Sequence, residues 1–193
     1  MQRRARLGLA VLAVVLGIAG CGSVNASAES PQPAGKSPSA ISRMVCTEKT
    51  AGEIAQVVAA KAAVTAPTWA DHLYSCGYHY SEGTMVLSIK ELSSWSETYA
   101  YFDLLAGTLH KTTLIKQLGQ GAFITSNGSV VVRKDWKILL VDISGVHGEV
   151  GSPPKPPGEL AIYVAQVILG CWAGDLSMRR TTAVMKKIFK EFR

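Results

Sequence analysis

The sequence is sparing with the groups that do chemistry. Its only imidazoles are His72, His79, His110 and His147, and none stands at a convincing metal-ligand spacing. No Cys-x-x-Cys pair is present either, which argues against a zinc site. There is no Gly-x-Ser-x-Gly elbow, and the carboxylates are scattered without a pair spaced for acid and base work, so hydrolase chemistry has no support. Gly119-Gln120-Gly121 lacks the third glycine and the lysine of a phosphate-cradling loop. It also precedes an expected strand and does not join strand to helix, so it reads as a turn. No cofactor is implied.

Long hydrophobic runs are also missing. The longest, Leu7 to Ile18, is too short for a comfortable membrane span. It follows Arg3, Arg4 and Arg6 and precedes small residues, the three-part layout of a secretory signal peptide. The stretch Leu16-Gly17-Ile18-Ala19-Gly20-Cys21 resembles the lipobox of bacterial lipoproteins. That resemblance implies a diacylglyceryl group on Cys21, removal of residues 1–20, and anchorage to the extracytoplasmic face of a membrane. Residues 21–44 are rich in Ser, Ala, Pro and Gly with few large apolar groups, so they read as a flexible tether. A chain of that length reaches on the order of 25 Å from the bilayer.

The formal charge of +6 is unevenly placed. Three arginines belong to the signal segment. Residues 178–193 hold Arg179, Arg180, Lys186, Lys187, Lys190 and Arg193 against Glu191. The body between is near neutral and lacks the basic stripe that phosphate neutralisation needs, so nucleic acid is not an expected partner. With Val184, Met185, Ile188, Phe189 and Phe192 on its other side, residues 175–193 form an expected basic amphipathic helix. Such a helix suits anionic lipid or an acidic partner through Arg179, Arg180, Lys186, Lys187 and Lys190, or it packs on its own domain.

Residues 45–174 read as one globular α+β domain. A capping box at Thr50 to Glu53 opens a helix expected to run to about Ala63. His72–Tyr80 and Thr84–Lys90 alternate as a hairpin. Ser94-Trp95-Ser96-Glu97 opens a second helix, with Trp95, Tyr99, Phe102, Leu105 and Leu109 along one face. Strands at 122–125 and 129–134 meet at Asn127-Gly128, a third covers 137–143, and a last helix carries Leu160, Val164, Val167, Ile168 and Cys171. The order α-β-β-α-β-β-β-α with short turns calls for a single antiparallel sheet packed by helices, as two layers or an α/β/α sandwich.

An exported domain lies where disulfides persist. Cys46 and Cys76 are the favoured pair, a bridge from Cys46 to Cys171 is the alternative, and Cys171 otherwise reads as a buried free thiol. This arrangement, with the phrase Gln117 to Phe123 before a hairpin, resembles the small exported lipoproteins common in actinobacteria, some of which look like PsbP-type sandwiches. The likeness spans residues 45–172 and implies a fold and a location but no catalytic residue.

Tyr74, Tyr78, Tyr80, Trp95 and Trp136 form a candidate pocket lining for a small apolar ligand. The expected function is a non-enzymatic binding or accessory module at the envelope, its partners membrane lipid and a small apolar ligand or envelope protein. The alternatives are a structural envelope protein held by lipid and basic helix, or a cryptic hydrolase.

Overall fold

The computed structural model describes residues 31–173. The expected signal peptide, Cys21 and the basic helix with Arg179, Arg180, Lys186, Lys187 and Lys190 lie outside the described residues. Within them the chain forms four helices, α1 (Ala40–Met44), α2 (Glu48–Val58), α3 (Trp95–Thr108) and α4 (Pro157–Ala173). The eight strands are β1 (Ala63–Val64), β2 (Thr68–Ala70), β3 (Leu73–Tyr80), β4 (Gly83–Glu91), β5 (Lys111–Ile115), β6 (Gly121–Thr125), β7 (Val130–Lys134) and β8 (Lys137–Val146). They make one antiparallel sheet in the order β1-β3-β4-β8-β7-β6-β5, with β2 also paired to β3.

Period-two alternation sends two apolar sets to opposite faces. Tyr74, Cys76 and Tyr78 lie opposite Ile89, Leu87 and Met85, and Leu139, Val141 and Ile143 extend this face. α1, α2 and α4 cover it, which makes it the main core. The other face carries Phe123, Val131 and Ile138, and α3 covers only that part with Phe102, Leu105 and Leu109. The product is an α/β/α sandwich with one thick and one thin helical layer. This is the α+β class and single antiparallel sheet expected from the sequence.

The differences from the expected element order have local causes. α2 starts earlier than expected because Thr47, not Thr50, is its cap, its hydroxyl accepting from Thr50 N at 3.2 Å. It ends at Ala59, in the left-handed region at φ 55°, well before Ala63. The loop after β8 closes on that end: Gly151 has φ +95°, and a Cβ there would stand 1.9 Å from the carbonyl oxygen of Val58, so only glycine fits. β1 and β2 are too short to show alternation, and β5 is an edge strand of mostly exposed Lys and Thr. α3 does follow its capping box: Ser94 Oγ accepts from Glu97 N at 3.1 Å, while Glu97 Oε2 accepts from Ser93 N at 2.8 Å.

The expected tether to residue 44 is corrected at its C-terminal end. Residues 40–44 form α1, Ser42 is buried, and Ile41 and Met44 pack on the core. Low apolar content hid this because the segment is held by polar bonds. Ser39 N donates to Glu91 Oε1 at 2.8 Å, and the Ser42 hydroxyl donates to the same oxygen. Just beyond α1, Cys46 bonds to Cys76 with a Cα–Cα distance of 5.9 Å, as the sequence favoured. Cys171 is buried on α4 as expected, but it is not a free thiol.

Candidate functional site

The sheet divides the candidate pocket in two. Tyr74 and Tyr78 are buried and Tyr80 half-buried on the main-core face of β3, whereas Trp95 and Trp136 meet on the α3 side. The five rings therefore do not line one cavity, and that expectation is corrected. The three tyrosines share a face because they are two residues apart, and that face is filled by α1, α2 and α4. Tyr78 Oη donates to the carbonyl oxygen of Val45 at 2.6 Å, tying the sheet to the segment before α2. Tyr80 Oη is buried with no hydrogen-bond partner among the described residues. Burial pushes the Tyr80 phenol up to about 12, and burial followed by the neighbouring Tyr80 pushes Tyr78 higher still.

Trp95 and Trp136 instead belong to a cluster at one end of the sheet. Their ring centroids are 6.4 Å apart at 89°, and Trp95 lies 6.2 Å from Tyr99 one helical turn along. The Arg133 guanidinium stacks 4.2 Å from the Tyr99 centroid and donates to the carbonyl of Gln120 at 2.6 Å. Gln120 Nε2 in turn donates to Asp135 Oδ1 at 3.2 Å, and Asp135 N donates to Gln120 Oε1 at 3.0 Å. The Gly119-Gln120-Gly121 segment is therefore a turn bonded to the β7–β8 hairpin, with Gly119 at φ +60°. Trp95 is 38% exposed and Tyr99 50%, so this cluster presents aromatic surface to its surroundings.

The histidines are exposed and separate. His72 belongs to the β2–β3 turn at φ 58°, outside the strand expected to hold it, and its Nδ1 lies 3.0 Å from the carbonyl of Gly35. His79 Nδ1 lies 2.7 Å from Thr84 Oγ1. Among the described residues no group of three or more His, Cys, Asp or Glu is placed to hold a metal ion. A shallow groove of about 580 Å³ runs beside α2, lined by Ala51, Gly52, Ala55, Ala59, Ala60 and Lys61. Its small side chains offer little chemistry.

Two buried carboxylates flank the main core. Burial disfavours the charge on Glu91, but hydrogen bonds from Ser39 and Ser42 and the charge of Lys137 outweigh it, and the carboxyl titrates below its ordinary range. Burial dominates at Glu53, pushing its carboxyl up against the opposing pull of Lys49. Glu53 Oε2 lies 2.8 Å from Cys171 Sγ, where α2 meets α4. Sequence reasoning missed both carboxylates as structural anchors. For Glu91 the available signal was its place on the inward alternation of β4 after Leu87 and Ile89.

No family model, curated protein or solved structure matches this chain.

Proposed function

We propose that the protein is a lipid-anchored extracytoplasmic accessory module, held to a membrane by acylated Cys21 and acting by binding, not turnover. The observation that carries this reading is the lipobox-like segment Ile18-Ala19-Gly20-Cys21 behind a charged and then apolar leader. The Cys46–Cys76 disulfide suits an oxidising compartment and supports it. The scattered histidines and the filled tyrosine face favour binding at the surface over chemistry in a pocket. Metabolic labelling with palmitate tests it: the wild-type chain takes up label, and Cys21→Ser abolishes both labelling and membrane retention. A labelled Cys21→Ser chain, or an unlabelled wild type, overturns the anchor.

A further inference from the structure

The strand register gathers the chain's four tryptophans at one end of the domain. Leu73 pairs with Lys90, Glu91 with Lys137, Lys134 with Lys137, and Gly121 with Arg133, so these strand ends lie together. Trp136 sits in the β7–β8 turn at this end, and Trp95 opens α3 against it. Trp69 pairs with Tyr74 one rung inside, and the Lys134 ammonium lies 5.4 Å from the Trp172 ring at the close of α4. Trp95 and Tyr99 are exposed, and Leu114, 64% exposed, stands near the end of β5.

Both ends of the described chain leave the domain here. Ala34 N donates to Ser93 Oγ at 3.3 Å, and the carbonyl of Lys36 accepts from Trp69 Nε1 at 3.1 Å. α4 starts beside Gly128, at the opposite end, and finishes at Trp172 and Ala173 on this one. Residues 178–193, with their net charge of +5, are thus connected at the same end as the segment leading back to Cys21. The charge is polarised in the same sense. Lys36, Lys90, Lys116, Arg133 and Lys134 outnumber Asp71, Glu97 and Asp135 here, while at the far end Glu82, Glu149 and Glu159 are balanced by Lys61, Lys111 and the buried Lys155.

We infer that this tryptophan-bearing end is a docking face for the surface of an anionic phospholipid bilayer. Tryptophan and tyrosine sit favourably at the lipid headgroup level, and lysine and arginine around them meet anionic headgroups. Trp95, Tyr99 and Leu114 would make the apolar contact, with Lys116 and Lys90 in the charged rim. The inference builds on the membrane location proposed above but needs no acyl chain, which lets the two be tested apart.

The test uses residues 21–193 carrying Cys21→Ser, so that no lipid is attached, with vesicles of phosphatidylcholine alone or with phosphatidylglycerol. Binding is expected only to the anionic vesicles, weakening as salt rises, with tryptophan fluorescence quenched by brominated acyl chains. Trp95→Ala with Tyr99→Ala is expected to weaken binding about tenfold at unchanged circular dichroism. Lys116→Glu, an exposed position with no packing role, is expected to weaken it several-fold. Glu82→Lys at the far end should leave it unchanged. Absence of vesicle binding overturns the inference and directs the face to an acidic protein. Binding that ignores the Trp95/Tyr99 and Lys116 changes, or that Glu82→Lys strengthens, overturns it too, because the basic tail or unspecific charge is then responsible. Palmitate labelling reports separately on the anchor.

Discussion

Replacing Glu91 should release the segment that leads into the domain from its N-terminal side. Its side chain is 4% exposed and accepts from Ser39 N and the Ser42 hydroxyl, while Lys137, 8% exposed, is the cross-strand neighbour whose charge supports it. Hydrogen bonds to a charged acceptor each contribute about 1.5–3 kcal/mol, and Glu91 accepts two of them. Glu91→Ala should therefore cost about 3–5 kcal/mol, a fall of about 2 M in the urea midpoint for a domain of this size. Glu91→Gln keeps the shape and should cost about 1–2 kcal/mol. The sign with pH follows from the lowered carboxyl: its contribution is complete above the ordinary glutamate value of about 4.3 and is lost as pH falls through the lower folded value. The gap between wild type and Glu91→Gln should thus be widest near neutrality and close in acid. Urea unfolding followed by circular dichroism across pH measures it. A loss below about 1 kcal/mol for Glu91→Ala, or a gap that does not change with pH, would refute the clamp.

The remaining predictions concern the main core and its staple. Glu53 is held above its ordinary range by burial, so its ionisation opposes folding; the penalty grows as pH rises from the unfolded value toward the folded one. Glu53→Gln should flatten that slope and leave the domain at least as stable at neutral pH, measured by thermal unfolding from pH 4 to 8. Tyr78→Phe should cost about 1–2 kcal/mol because it strips a buried carbonyl of its donor, whereas Tyr80→Phe should be neutral or stabilising because it removes a buried hydroxyl with no hydrogen-bond partner among the described residues. Equal effects in denaturant titration would contradict this contrast. Removing the Cys46–Cys76 bridge as a double serine variant should cost about 3.5 kcal/mol from the 30-residue separation it closes.

Much of the fold was legible because its layers obey simple periodicities. Tyr74, Cys76 and Tyr78 announced an inward strand face, Ser94 and Glu97 announced a helix start, and Asn127-Gly128 announced a turn. What escaped was held by long-range polar bonds. α1 looks like linker in composition, but Glu91, far along the chain, supplies its acceptor while Ile41 and Met44 pack on the core. The candidate pocket failed for a related reason: a list of aromatics carries no information on which side of a sheet each ring falls. Tyr80 and Trp95 end on opposite sides of a sheet that periodicity predicts but whose helical cover it does not assign. The tryptophan-bearing end became visible only through strand register, since Trp69 and Trp172 lie far apart in sequence.

Membrane attachment through Cys21 is the premise on which the functional reading stands, and the intact mass of the mature chain isolated from its own cells tests it most directly. The account predicts a chain beginning at Cys21 and heavier by a diacylglyceryl group. A mature chain of unmodified mass would contradict it.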